Sequence, residues 1–243
     1  MPQGNALGFG RALKRGALAG LAVAVVAALA LGAWTVSQGG LPGRGDNDTT
    51  SALIVLGMPD ENGDLVAQAI VRVDGVGTGA PSLVSVDPTA SVTVVGTSYG
   101  HLRDAYAFGG GARVSEAYSR LWGEALPYID FSPAAIEYVA AQEGGINVNI
   151  PADMSVFDGD TLYTFTSGPA RLSATELRAA LNGAAYLAPV ERKALLGEVE
   201  RALVTLCAAY PGGLQAAIDR GDVSTDFSKD GVAAISSACA KLP

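Results

Sequence analysis

Very few side chains in this sequence have the types and the spacing that phosphate or metal chemistry requires. His101, Arg103 and Asp104 lie close together, just before a run of three glycines. A guanidinium group binds phosphate, and a carboxylate beside an imidazole can bind a metal ion. The same residues also suit a solvated loop without chemistry. Arg103 is therefore a candidate phosphate contact, and Asp104 is a candidate metal ligand.

Most of the common catalytic signatures are missing. The sequence has no H-x-x-x-H segment, and its single histidine excludes a histidine-rich metal site. The glycines at 109–111 precede a helical pattern and offer backbone amides to an anion, and a plain turn is the alternative. The residues alone therefore indicate no complete active site.

The amino-terminal region has the pattern of a membrane-anchored protein. Residues 1–16 carry basic residues and no acidic ones, and residues 17–34 carry no charge. At about 1.5 Å per residue, a helix over 17–34 spans about 27 Å, close to the thickness of a hydrocarbon core. The basic flank predicts that the tail stays in the cytoplasm and that the rest lies outside. A cleaved signal peptide is the alternative.

These patterns divide the chain into four parts and exclude one class of partner. The basic tail covers 1–16, the transmembrane anchor 17–35, the linker 36–51 and the exported domain 52–243.

The chain has 24 acidic and 16 basic residues, and three of the bases precede Thr35, so the exported part has a net charge of −11. Nucleic acid binding needs a basic surface, which this domain does not have.

The only two cysteines, Cys207 and Cys239, lie in the exported part. An oxidising compartment favours a disulfide between them, worth roughly 3–4 kcal/mol if it is unstrained. Two separate buried thiols are the alternative. The composition disfavours metal binding by these cysteines, because two cysteines and one histidine are few ligands for a zinc site.

The segment after the three glycines must position the candidate residues. Apolar residues at helical spacing predict a helix over 114–122. Ser132 and Pro133 suit the start of a second helix, which two glycines at 144–145 end. Alternating apolar residues over 146–150 predict a half-buried strand.

Shorter signals predict the remaining elements. Ser173 and Glu176 form a capping box ahead of a helix, and a long helix follows over about 190–209. An Asp-Gly turn at 158–159 predicts a hairpin. Helices that alternate with short strands indicate an α/β fold. Further strands are predicted at 52–56, 69–73, 82–86 and 91–95.

These motifs resemble the LytR-CpsA-Psr family of extracytoplasmic bacterial proteins. In that family a Tyr-Gly-Gly segment leads into a helix, and a second helix ends in Gly-Gly before a V-x-V-x-[VI]-P strand. The matching segments here are A-Y-A-F-G-G-G at 105–111, V-S-V-D-P at 84–88 and G-G-I-N-V-N-I-P at 144–151. The resemblance implies one three-layer α/β domain, a central mixed sheet with helices on both faces, preceded by one transmembrane helix in the cytoplasmic membrane.

The resemblance also shows where charges are missing. Family members transfer polymers from a polyprenyl-diphosphate carrier to the cell wall, with arginines and a metal-binding aspartate. That aspartate falls on Gln68, and the first arginine pair falls near Asn182. The P-R-D triplet of the family has no counterpart after the valines at 92–95. Arg192 and Lys193 remain as candidate phosphate contacts, with a solvated helix face as the alternative.

Family members hold the polyprenyl tail in an apolar tunnel between the sheet and the helices. The aromatic residues that match its position are Tyr106, Phe108, Phe131 and Tyr138. Ordinary core packing is the alternative for each of them.

Two hypotheses about function follow from the resemblance. The first is a membrane-anchored pseudoenzyme of the cell envelope without a cofactor, which binds a polyprenyl-phosphate lipid or a cell-wall glycan, or acts as a scaffold. The loss of charge favours it, because one charge-stabilising donor is worth about 3–4 kcal/mol in the transition state. The second is a divergent phosphotransferase that attaches polyprenyl-diphosphate-linked glycopolymers to the cell wall. It would use Arg192, Arg103 and Asp104 with Mg²⁺.

Overall fold

The computed structural model describes residues 50–242, and the predicted tail, anchor and most of the linker lie outside them. No helix of this described part is long and apolar enough to cross a membrane. The strands are β1 (Ser51–Pro59), β2 (Leu65–Asp74), β3 (Ser82–Val86), β4 (Tyr128–Phe131), β5 (Ile146–Ile150), β6 (Met154–Asp158), β7 (Thr161–Phe165), β8 (Gly168–Leu172) and β9 (Val223–Thr225). The α-helices are α1 (Gly110–Trp122), α2 (Pro133–Glu143), α3 (Ala174–Gly183), α4 (Pro189–Ala208), α5 (Leu214–Arg220) and α6 (Lys229–Cys239).

A mixed sheet of five strands forms the centre of the domain. Its strand order is β3-β2-β1-β4-β9, and smaller two-stranded sheets pair β5 with β8 and β6 with β7. β1 runs antiparallel to β2 and parallel to β4, while β9 runs antiparallel to β4. A parallel pair needs a crossover connection, and here α1 lies between β1 and β4 in the sequence.

Side chains of β1 enter two separate apolar cores, one on each face of the sheet. Ala52, Ile54 and Leu56 belong to the larger core, and Leu53 and Val55 belong to the smaller one. The larger core includes residues of α2, α3, α4 and α6, and the smaller core includes residues of α1 and of a 3₁₀-helix. Because both faces of β1 are covered, its sequence is a continuous apolar run. The predicted single α/β domain with a central mixed sheet is confirmed.

The predicted helix starts are also confirmed. Ser132 Oγ accepts a hydrogen bond from the Ala135 amide at 3.3 Å, and α2 ends where Gly144 has φ 73°. At the start of α3, Ser173 Oγ accepts from the Glu176 amide at 3.2 Å, and the Glu176 carboxylate accepts from the Ser173 amide at 2.8 Å. These bonds satisfy amides that the first turn of a helix leaves without partners.

One predicted strand is wrong. Residues 91–95 join no sheet, and Ser91 makes only an isolated bridge to His101. The chain turns back at Gly96, where the Thr97 amide donates to the Val94 carbonyl at 3.2 Å. The alternation of residues that suggested a strand has another cause, because Val92 and Val94 are buried in the smaller core.

The two cysteines are neighbours, but they are not bonded. Cys207 in α4 and Cys239 in α6 are both buried free thiols. Their interaction and the burial raise the pKa of the Cys207 thiol well above its usual value. The packing of α6 on α4 therefore brings the sulfur atoms together as part of the larger core, and the predicted disulfide is not confirmed.

Candidate functional site

Two positions that the resemblance assigns to charged groups touch each other in the fold. Gln68 in β2 donates its Nε2 to Asn182 Oδ1 at 3.0 Å, and the same Nε2 lies 3.5 Å from the Pro59 carbonyl oxygen. Gln68 is only 9% exposed, and Asn182 Nδ2 is buried without a hydrogen-bond partner in the described part of the chain. The Gln68–Asn182 pair is polar but neutral, so it supplies no charge for a diphosphate or a metal ion.

The β6–β7 hairpin packs directly beside this amide pair. A Cβ on Gly183 would lie 2.2 Å from Val156 Cγ2, so the valine fills the space next to the glycine. Arg178 joins α3 to the hairpin by donating Nε and Nη2 to Asp158 Oδ2 at 2.8 and 2.5 Å. A glycine at 183 is required because any side chain would push the hairpin away.

The open cavity of the hairpin lies elsewhere along its strands. It has a volume of about 220 Å³ and is lined by residues 153–155 and 164–166. None of the site residues predicted from the sequence is among its lining residues. This cavity is therefore separate from the Gln68–Asn182 pair.

His101, Arg103 and Asp104 do come together, but with a second carboxylate that the sequence did not indicate. Arg103 Nη2 lies 3.1 Å from Asp60 Oδ2, and Arg103 Nε lies 3.8 Å from Asp104 Oδ1. His101 Nδ1 lies 3.3 Å from Asp104 Oδ2. Two carboxylates therefore surround one guanidinium group, which reduces its attraction for a phosphate.

Asp104 also has a local structural role. Its Oδ2 accepts a hydrogen bond from the His101 amide at 3.2 Å, at the start of the 3₁₀-helix Leu102–Phe108. Among residues 50–242, no group of three or more histidine, cysteine or acidic side chains is placed to hold a metal ion. Mg²⁺ prefers octahedral oxygen ligands, usually with one or two carboxylates, and the amide pair supplies no carboxylate. The role of Asp104 as a metal ligand stays a prediction.

Arg192 uses its guanidinium group to bind backbone carbonyls. Nε donates to the Ala184 carbonyl at 3.0 Å, and Nη2 donates to the Ala185 carbonyl at 2.7 Å. Both carbonyls follow the end of α3, where an arginine stabilises carbonyl acceptors, and the Ala184 carbonyl also accepts from the Leu187 amide at 3.2 Å. Lys193 is exposed on the next position of α4. No hydrogen bond or ion pair joins Arg192 to the cluster around Arg103 within the described residues.

The four aromatic residues predicted to contact lipid are divided between the two faces of the sheet. Tyr106 is buried in the smaller core, where a Cβ on Gly57 would lie 1.8 Å from its Cζ. Phe108 belongs to the same side but is 43% exposed. The ring centroid of Phe108 lies 5.4 Å from that of Tyr99.

The other two aromatic residues belong to the opposite face. Phe131 is fully buried in the larger core, with its ring centroid 6.1 Å from that of Tyr210. Tyr138 stacks on Tyr210 at 6.0 Å, and Arg220 lies 4.3 Å above the Tyr138 ring. The four side chains do not share one space, and their contact with lipid stays a prediction.

A buried carboxylate that the sequence analysis missed lies on β4. Asp130 is 5% exposed, and its Oδ2 accepts from the Gly111 amide at 3.0 Å and from Ser224 Oγ at 3.1 Å. Burial raises the pKa of Asp130, and the Gly111 amide with the hydroxyls of Tyr106 and Ser224 opposes that shift. The carboxylate therefore connects β4, β9 and the first turn of α1, where the helix dipole favours negative charge.

The signal for Asp130 was present in the sequence. It is the only charged residue of the short strand Y-I-D-F, and it lies between the buried residues Ile129 and Phe131. Ile129 and Phe131 point into the larger core, so the side chain of Asp130 must point to the opposite face, towards α1. A carboxylate in that position implies a donor on the facing helix.

Comparison with solved structures supports the fold described above. No protein-family model matches this sequence, and no curated protein matches it. Among solved structures, Bacillus subtilis TagV superposes with a TM-score of 0.54 at 17% identity, covering 80% of this chain and 82% of TagV. A Streptococcus agalactiae protein gives a TM-score of 0.58 at 13% identity, covering 83% and 78%. TagT bound to LI-WTA gives 0.51 at 14% identity, covering 84% and 81%.

At these sequence identities the structural similarity supports the fold and does not assign the chemistry of the site. The similarity covers 80–84% of this chain, and the motifs at 84–88, 105–111 and 144–151 predicted the same fold. This chain therefore has the fold of the LytR-CpsA-Psr family.

Proposed function

We propose that this protein is a non-catalytic member of the cell envelope that binds a lipid-linked glycopolymer or serves as a scaffold for its handling. The fold is that of proteins such as TagT, which has been solved bound to LI-WTA. The single observation that carries the proposal is the Gln68–Asn182 contact, where neutral amides occupy positions that the resemblance assigns to an aspartate and an arginine.

Phosphoryl transfer depends on charged groups that are held around the leaving group. Each missing donor costs about 3–4 kcal/mol of transition-state stabilisation, so the loss of several is not offset by one remaining arginine. Ground-state binding is less demanding, because hydrogen bonds and apolar contacts suffice for it. A binding function therefore tolerates the neutral pair, while transfer does not.

The alternative is a divergent phosphotransferase that uses Arg192, Arg103 and Asp104 with Mg²⁺. The contacts of these residues count against it. Arg103 is ion-paired with two carboxylates, and Arg192 donates to two backbone carbonyls. A phosphate would have to displace those partners before either guanidinium group could bind it.

The proposed location is the bacterial cytoplasmic membrane, with a single anchor and the described domain outside. The basic tail and the uncharged segment 17–34 support this topology. Protease added to intact spheroplasts should digest the domain and leave a short membrane-bound fragment.

Binding of the full-length protein in detergent micelles to a polyprenyl-diphosphate-linked saccharide tests the proposal. We expect binding that does not change when Mg²⁺ is replaced by a chelator, because no described group holds the ion. Binding that requires Mg²⁺ would contradict the non-catalytic assignment. No binding in either condition would leave only the scaffolding role.

A further inference from the structure

Two aromatic rings form an exposed pair beside the glycine-rich start of α1. Tyr99 is 49% exposed and Phe108 is 43% exposed, and their ring centroids lie 5.4 Å apart at an angle of 55°. Burying a large apolar side chain normally stabilises a fold, so a paired exposure of two rings indicates a surface that binds something.

Hydrogen bonds fix the backbone next to each ring. Tyr99 follows a turn in which its amide donates to Thr97 Oγ1 at 3.1 Å, and Thr97 Oγ1 donates to the Val94 carbonyl at 2.9 Å. Phe108 ends the 3₁₀-helix, where the Gly109 amide donates to the Tyr106 carbonyl at 3.2 Å. Little conformational entropy is lost when such a preorganised surface binds a ligand.

The charges around the pair determine what kind of ligand fits it. Arg113 of α1 is ion-paired with Glu116, and Arg103 and Asp104 are engaged with Asp60 and His101. The side chains of Thr97 and Ser98, in the same turn as Tyr99, are uncharged hydroxyls. Because the nearby charges are already neutralised, an ionic ligand gains little here, whereas a neutral ligand with hydroxyl groups fits the surface.

We propose that the Tyr99–Phe108 pair is a stacking site for a neutral sugar ring of a glycan. A pyranose presents a face of C–H groups that packs on an aromatic ring, and its rim of hydroxyls matches the exposed hydroxyl of Ser98 beside Tyr99. This site goes beyond the proposed lipid-linked ligand, because it uses none of the residues around Gln68 and Asn182.

Titration of the full-length protein in detergent micelles with soluble neutral tetrasaccharides tests the site. The probes are the tetramers of N-acetylglucosamine, glucose, galactose and mannose, followed by ligand-detected NMR. We expect at least one tetramer to bind, and Tyr99→Ala and Phe108→Ala each to weaken it about tenfold, since one aromatic contact is removed. Tyr99→Phe keeps the ring and should retain most of the affinity.

The matched control is Phe157→Ala, which removes a residue that is 73% exposed on β6, away from the pair. It should bind the tetrasaccharide like the wild type. The assignment is overturned if no neutral tetramer binds the wild type, or if Tyr99→Ala and Phe108→Ala bind as well as Phe157→Ala. It is also overturned if only a phosphorylated saccharide binds, because the site would then recognise charge. Circular dichroism confirms that each variant is folded.

Discussion

Asp130 is a buried carboxylate whose ionisation affects the stability of the domain. Burial raises its pKa above the ordinary value of about 4. Because the folded state then holds the proton more tightly than the unfolded state, the free energy of unfolding falls as the pH rises through this window. Burial also raises the pKa of Glu200, so its ionisation changes the free energy of unfolding in the same direction.

We therefore expect the protein to become more stable when the pH is lowered from 7 to about 5, with part of this gain lost in Asp130→Asn. Urea unfolding at both pH values measures the difference. The exposed Asp160→Asn is the control and should keep the wild-type difference. An unchanged pH dependence in Asp130→Asn would show that its carboxylate titrates normally.

The Gln68–Asn182 contact makes a second prediction about single residues. Gln68→Ala and Asn182→Ala should each destabilise the protein by about 1–3 kcal/mol, because each change leaves a buried polar group without its partner. The double variant should cost less than the sum of the two by about 1 kcal/mol. A double-mutant cycle in urea measures this coupling.

A second double-mutant cycle, between Gln68 and the distant residue Gln215, provides the control. Gln215 lies on α5 and donates to Asp219, so it shares no partner with Gln68. Gln68→Ala and Gln215→Ala should therefore be additive. If the effects of Gln68→Ala and Asn182→Ala on the free energy of unfolding were also additive, the amide contact would contribute nothing measurable.

Sequence reasoning reached some of these residues and missed others for a physical reason. The motifs placed both Gln68 and Asn182 at positions where charge was lost, but not in contact, because they are far apart along the chain. Asp60 belongs to none of the motifs in the sequence, and its ion pair with Arg103 depends on tertiary packing. Local patterns report on side chains a few positions apart, whereas site geometry depends on long-range contacts.

At the scale of elements, local signals were sufficient where they acted within one element. The capping residues of α2 and α3 and the Asp-Gly hairpin of β6 and β7 all appear where their motifs lie. The segment 91–95 failed because its alternating valines pack against a core without pairing to a strand. Periodicity reports which side chains are buried, and it does not report which backbone groups are paired.

The contact between α4 and α6 leads to a prediction about the cysteines. Cys207 and Cys239 are adjacent, so oxidation outside the cytoplasm should join them and stabilise the domain by roughly 3–4 kcal/mol. Thiol titration under denaturing conditions, on protein purified from membranes without reductant, should then detect no free thiol. Cys239→Ser should expose one reactive thiol, and two thiols in the wild type would contradict the disulfide.

At the scale of the whole molecule, the fold is shared with solved structures, and we propose that the chemistry of the site is not. The described domain superposes on TagV, TagT and a streptococcal protein at 13–17% identity. Such conservation of shape follows from the apolar pattern of the sheet and helices, which many sequences can satisfy. Charges around a leaving group have no such freedom, so we propose that the neutral pair at Gln68 and Asn182 removes transfer chemistry without changing the fold.

Transfer activity of the full-length protein is the measurement that tests this account most directly. The protein in detergent is incubated with a polyprenyl-diphosphate-linked saccharide, Mg²⁺ and peptidoglycan, and released polyprenyl phosphate is quantified. We predict no release above the protein-free blank for the wild type. Mg²⁺-dependent release that is lost in Arg192→Ala but kept in Arg201→Ala, an exposed arginine of the same helix, would contradict the account and establish a divergent transferase.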